Sequence, residues 1–147
     1  MADITKAIYT RLSGDATLQG LLTTYSGAAA VFTTDPIPAD AVLPYVTVLP
    51  IAEVPFESKP LYTGGTVLGD VTTGREVTYD VGCYDEDDGS AVDVEAIYER
   101  VRALLHRHIL TIANFTTVIA EVTGTLSADE DGVFGRIVTI RLIVEED

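Results

Sequence analysis

VTYDVGCYDEDDGSAVDVEAIYERVRALLHRHIL, residues 77–110, holds the strand, the turn and the helix around which the rest of the chain can be placed. Val77, Tyr79, Val81 and Cys83 alternate with Thr78, Asp80, Gly82 and Tyr84, which gives an extended strand one apolar and one mixed face. Asp85-Glu86-Asp87-Asp88-Gly89 cannot continue that strand, because adjacent carboxylates ending in glycine favour a solvated turn. From Ser90 onward the period changes. Val94, Ile97, Val101, Leu104 and Leu105 fall on one side of a helix, while Glu95, Glu99, Arg102 and His106 fall on the other. The pattern predicts strand, acidic turn and a long helix over residues 91–110, packed as one unit.

On the C-terminal side, Val118, Ala120, Val122, Gly124 and Leu126 alternate with Ile119, Glu121, Thr123 and Thr125. Asp129-Glu130-Asp131-Gly132 is a turn signal, and Phe134, Val138, Ile140, Leu142 and Val144 alternate with Ile137, Thr139, Arg141 and Ile143 on the return, so a long terminal hairpin is expected. On the N-terminal side, Tyr45-Val46-Thr47-Val48-Leu49 reads as a strand, ended or bulged at Pro50, and residues 31–34 as a short edge strand. Ile4, Ala7, Ile8 and Leu12 follow Asp3 at helical spacing, with Asp3 as the expected N-cap. Asp15 can cap a second short helix carrying Leu18, Leu21 and Leu22. Between Glu53 and Gly74 the periodicity fails under prolines and glycines, yet Phe56, Leu61, Tyr62, Val67 and Leu68 keep the stretch apolar. A loop of that length inside a compact domain is functional or mobile, and its apolar groups suit a partner or a fold back onto the domain itself. Strands joined by tight turns pair antiparallel. The expectation is therefore one α+β domain over residues 1–147: an antiparallel sheet of about four strands with one long helix and short N-terminal helices packed on one face, plus a projecting loop or hairpin from 53–74.

A length of 147 residues suits a single domain that buries about two-thirds of its unfolded surface. No apolar run reaches the roughly 20 residues of a membrane helix, and the start lacks the layout of a signal peptide, so a soluble, unexported protein is expected. Cys83 is the only cysteine, and its place on the apolar face predicts a buried, inert thiol. Net charge is −14, from 23 acidic against nine basic residues, of which only Lys6 and Lys59 are lysines. Affinity for a phosphate backbone is disfavoured. Acids concentrate at Asp85, Glu86, Asp87 and Asp88, at Asp129, Glu130 and Asp131, and at Glu145, Glu146 and Asp147. Three readings fit them: a solvated surface, a passage that nucleic acid crosses without sticking, or adaptation to high salt.

Neither acidic turn has calcium-loop spacing. An EF-hand needs glycine sixth and glutamate twelfth; from Asp85 the glycine is fifth and Ala96 twelfth, and placing Gly132 sixth puts Ser127 first and Val138 twelfth. No metal is predicted. Capping explains the first cluster better, with Asp93 and Glu95 in the first helical turn and Arg107 in the last complementing the helix dipole. His106 and His108 point about 200° apart on a helix and cannot share a metal, and no nucleophile elbow accompanies them. The glycine-rich 64–69 stretch lacks the lysine of a phosphate loop. No catalytic residue and no cofactor are therefore predicted. Arg136 and Arg141 lie on opposite faces of the last strand, either exposed to solvent or forming an ion pair across a subunit boundary.

Taken in order, Leu12-Ser13-Gly14-Asp15 after the first helix, Leu43-Pro44-Tyr45-Val46 entering a strand, the Thr78-Tyr79-Asp80-Val81 strand and the 91–110 helix resemble the tail-completion, or tail-terminator, proteins of long-tailed bacteriophages and related archaeal viruses. The resemblance covers most of the chain, and only the glycine-rich 53–74 segment departs from it. It implies a non-enzymatic virion component of the tail and neck region, assembled in the host cytoplasm. Such a protein forms a ring, usually hexameric, that caps the head-proximal end of the tail tube, stops tube polymerisation and offers the surface for head-tail joining. The implied partners are further copies, the tail tube protein and the head-tail connector protein, with DNA passing through unbound and no membrane involved. Phe56, Leu61, Tyr62, Val67 and Leu68 are the candidate subunit or tube interface. Asp85, Glu86, Asp87, Asp88, Asp129, Glu130 and Asp131 are candidates for a lumen or an outer surface. A head-completion or connector-adaptor protein shares this size and ring habit, while a cellular ligand-binding α+β domain would instead show an apolar pocket.

Overall fold

The computed structural model describes residues 2–57, 62–63, 66–67 and 73–146, with the backbone alone at 56–57, 62–63, 66–67, 73 and 118. In chain order the elements are α1 (Ala2–Ser13), α2 (Ala16–Leu21), β1 (Thr24–Tyr25), β2 (Ala28–Ala29), β3 (Val31–Phe32), β4 (Tyr45–Glu57), β5 (Tyr62–Thr63), β6 (Thr66–Val67), β7 (Thr73–Glu86), α3 (Val92–Leu105), β8 (Phe115–Ser127) and β9 (Val133–Glu146). The main sheet has the order β3-β4-β7-β9-β8, and β1-β2 and β5-β6 form two separate antiparallel ribbons. The four long strands are mutually antiparallel, as expected. The sheet nevertheless has five strands and is mixed, because β3 joins the edge of β4 in parallel, Val31 opposite Val46. Two residues are too few to show a period, so the sequence pattern placed an edge strand there without its direction.

One face of this sheet is the core. Val46 and Val48 of β4, Val77, Tyr79, Val81 and Cys83 of β7, and Val138, Ile140, Leu142 and Val144 of β9 are fully buried beneath the helices. α1 contributes Ile4, Ile8 and Leu12, four residues apart and so on one stripe, and α3 contributes Val94, Ile97, Val101, Leu104 and Leu105. Thr5 and Tyr79 share a 2.6 Å hydroxyl–hydroxyl hydrogen bond that ties α1 to the middle of the sheet. Asp15 caps α2 by accepting from Leu18 N at 2.9 Å, and it holds Arg100 of α3 through two oxygens at 2.6 and 2.8 Å. Asp3 lies inside the first turn of α1, which begins at Ala2, and is not its cap.

Three local readings are corrected. α3 stops at Leu105 and does not run to 110: Arg107 takes a left-handed backbone (φ 57°), and His106 Nδ1 accepts from Val122 N at 3.0 Å, tying the helix end to β8. β8 does not alternate throughout. Register shifts between Thr117 and Ile119 and between Val122 and Gly124 turn Leu126 to the outer face, where it is 64% exposed. Residues 53–57 and 73–74, read as irregular, belong to the β4-β7 ladder, which continues past a shift at Pro50/Ala52 to pair Phe56 with Gly74. Prolines at 50 and 55 concealed it, since a strand can carry proline only at an edge or a bulge. Among the described residues, nothing pairs with that side of β4 beyond Val46 and Thr47, which pair with β3.

Candidate functional site

The acidic turns come together. Glu86 of β7 pairs with Val133 of β9, and beyond that pair Asp87 N donates to Gly132 O at 2.9 Å, so the loop entering α3 and the β8-β9 turn lie side by side at one end of the sheet. Asp131 (φ 45°) and Gly132 (φ 79°) are the two central residues of that turn, a left-handed pair that matches the twist of a hairpin. Asp87 and Asp88 accept from Gly89 N and Ser90 N at 3.0 and 3.1 Å, and Asp85 accepts from the next amide at 2.7 Å. These carboxylates shape the approach to α3 without capping it: its N-cap is Ala91, with no side-chain cap bond, and the cation in its last turn is Arg102 rather than Arg107, although Asp93 and Glu95 do lie in its first turn. Arg136 reaches into the cluster from the inner face of β9, with Nε on Glu95 Oε1 at 2.6 Å and Nη1 on Asp129 Oδ1 at 2.7 Å. Among the described residues no three His, Cys, Asp or Glu side chains converge to hold a metal ion.

Both arginines of the last strand are engaged in ion pairs within the chain. Arg136 is bound as above, and Arg141, on the outer face, bridges Glu76 of β7 at 2.8 Å and Glu121 of β8 at 2.9 Å. Arg75 forms a third such tie at the far end of the sheet, to Glu53 at 3.0 Å and Glu146 at 2.6 Å, with its guanidinium 5.1 Å from the Phe115 ring centre. Cys83 is buried, and that burial pushes its thiol up to about 12. His106 is occupied at the end of α3, and His108 is exposed.

Of the five apolar residues assigned to an interface, Leu61 and Leu68 lie outside the described residues. Phe56 is the next-to-last residue of β4, opposite Gly74, and Tyr62 is paired with Val67 across the β5-β6 ribbon, by backbone register alone. The sequence reading missed a different surface. Ile109, assigned there to a helix, is 83% exposed in the connection after α3. On one side of it an open groove of about 510 Å3 runs between α1, at Lys6 and Arg11, and residues 109–113; on the other lies a hollow of about 250 Å3 beside Arg107 and His108. A signal was present: Arg107-His108-Ile109 breaks the heptad-like spacing that ends at Leu105. The outer sheet face also exposes Ile51, Val54 and Ile119. At its upper corner Tyr25, Phe32, Tyr45 and Tyr84 pack in series, edge to face in the first two contacts and tilted in the third, with ring centres 5.1, 5.7 and 5.5 Å apart.

No curated protein matches the sequence significantly. Among solved structures, a chain of the virion of a native gene transfer agent (GTA) particle is similar, at a TM-score of 0.69 and 18% identity over 97% of this chain and 94% of that one. At that identity the likeness establishes the fold. The family model for tail completion protein gp17 matches residues 6–145, from the middle of α1 to the end of β9. By that match, the chain belongs to the tail completion protein gp17 family.

Proposed function

We propose that this protein forms a hexameric ring that caps the head-proximal end of the tail tube, ends tube polymerisation and provides the surface to which the filled head is joined. The match of residues 6–145 to the tail completion family carries this reading. That family is one of structural virion proteins, not of enzymes, so the role of the chain is structural and tail-related. Its partners are further copies of itself, the tail tube protein and the head-tail connector protein, met first in the host cytoplasm and then in the neck of the particle. DNA passes through the ring without specific binding, and a net charge of −14 supports a lumen that repels a polyanion. In this reading some carboxylates of the 85–88 and 129–131 turns face the lumen, and the 53–74 arm, with Phe56, Leu61, Tyr62, Val67 and Leu68, supplies contact to the tube or to the next subunit.

The test is to assemble particles without this protein. Filled heads and separate tails of uncontrolled length are expected, and purified protein added to tails of normal length is expected to block further growth of the tube and restore joining. Normal joined particles in its absence would overturn the reading. Binding to isolated heads with none to tail tubes would move the protein to the head side, as an adaptor. A deletion of residues 58–70 that still closes rings and still caps tubes would remove the arm from the interface.

A further inference from the structure

Among the described residues four arginines, Arg75, Arg100, Arg136 and Arg141, are held in ion pairs. Lys6, Arg11, Arg102 and Arg107 have no ion pair with another described residue, and all four are exposed, on or beside the C-terminal end of α3. At the other end of α3 the joined turns carry seven carboxylates, of which Arg136 engages only Asp129. The two ends are separated by the 14 residues of α3, about 21 Å at roughly 1.5 Å per residue. The N-terminal end of α3 is therefore acidic, and these cations gather at its C-terminal end. Complementing the α3 dipole explains acids at its start and Arg102 at its finish. Arg11 of α1 also serves that end, its Nε donating to Leu104 O at 3.1 Å, whereas Lys6 has no such role and lines the groove beside Ile109.

We infer that the groove between α1 and residues 109–113 is a docking site for a second copy of this chain, which inserts its acidic turns there, so that copies join head to tail. The inference rests on the ring reading and names its interface. Charge complementarity selects the occupant: Lys6 and Arg11 in the groove, with Arg107 across Ile109 from it, meet an incoming Glu86, Asp88, Glu130 and Asp131, all exposed. Each end also has an apolar centre, Ile109 at 83% exposure in the groove and Val92 at 71% beside the acidic turn. Asp3 and Glu121 also lie at these hollows and reduce that charge, three cations standing against two carboxylates. Joining two different patches is the heterologous geometry that closes into a ring when the rotation permits. Continuing the sheet from copy to copy is disfavoured, because Pro50, Pro55 and the shift at 50–52 interrupt that side of β4, and two shifts interrupt β8.

The test compares wild type, a basic-end reversal (Lys6→Glu with Arg107→Glu), an acidic-end reversal (Glu86→Lys with Glu130→Lys) and an equimolar mixture of the two reversals, by native mass spectrometry and light scattering at low salt. All four substituted side chains are exposed, and circular dichroism checks that each variant folds. Wild type is expected to self-associate, each reversal to weaken association at least about tenfold, and the mixture to recover it as mixed oligomers. Reversals that assemble like wild type overturn the inference and leave the ring reading standing. A mixture that stays apart overturns it as well, and so does a wild type that remains monomeric at every concentration. Binding of a short single-stranded oligonucleotide that is lost in the basic-end reversal would assign the groove to nucleic acid and overturn docking of a second copy. Failure of the ring reading is seen separately, in particles that join normally without the protein.

Discussion

Asp15 does two jobs with one carboxylate, capping α2 and binding Arg100 from a helix 85 residues away in sequence. The hydrogen bond from Arg100 lowers its pKa to about 2, against desolvation and with help from the Leu18 amide. A depressed carboxylate pKa contributes stability in full above the ordinary value of 3.8 and loses it as pH falls through about 2. Asp15→Asn, which keeps a capping oxygen and loses the charge, is expected to flatten the stability profile across that acid window. Asp15→Ala is expected to cost about 1–2 kcal/mol at neutral pH. Urea unfolding over a pH series reads both. The cap was legible from Gly14-Asp15, but the Arg100 partner was not, since no local pattern encodes a contact between distant helices. Gly135 is a second sensitive point: a Cβ there would stand 2.5 Å from the backbone oxygen of Ala128, across the hairpin. Gly135→Ala should therefore destabilise by about 2–3 kcal/mol in the same measurement. Cys83 should stay silent to a thiol reagent in the native protein and react with one equivalent once unfolded.

β7, α3 and β9 were readable because each keeps a single period over three or more turns or pairs, so one face meets the core throughout. β8 was not, because each shift in its ladder exchanges the faces and leaves Leu126 outside where simple alternation puts it inside. α3 was read five residues too long for a related reason: Leu110 is buried, which preserves an apolar rhythm, but the backbone has already left the helix at His106. That residue fastens the helix to β8 through the Val122 amide, so His106→Ala is expected to cost about 1 kcal/mol. Hydrogen exchange would show the loss first at Val122 and its β8 neighbours. Of the candidate site, the acidic turns were visible as composition and their meeting was not, since the Asp87–Gly132 bond depends on a β7-β9 register that spans 45 residues of sequence. The groove beside Ile109 was hidden by the overlong helix.

For the molecule as a whole, an excess of 14 negative charges, with seven carboxylates joined in the two acidic turns, means that folding brings like charges closer together. Added salt screens that repulsion, so the thermal midpoint of the monomer should rise between low and moderate ionic strength; a fall would show the internal arginine ties to outweigh it. The same salt should weaken contacts between copies, and the two effects separate by following unfolding and mass together. One earlier observation bears on what happens after a particle leaves its host. The chain has a single cysteine and no tryptophan, and apart from the sulfur of Met1 its sulfur chemistry is a thiol sealed under the sheet in protonated form. A released virion meets air and peroxide with no reductase to repair it. A component built this way can neither rust into its neighbours through stray disulfides nor soften as core sulfur weathers, so its service life outdoors is set by its fold and not by its redox surroundings.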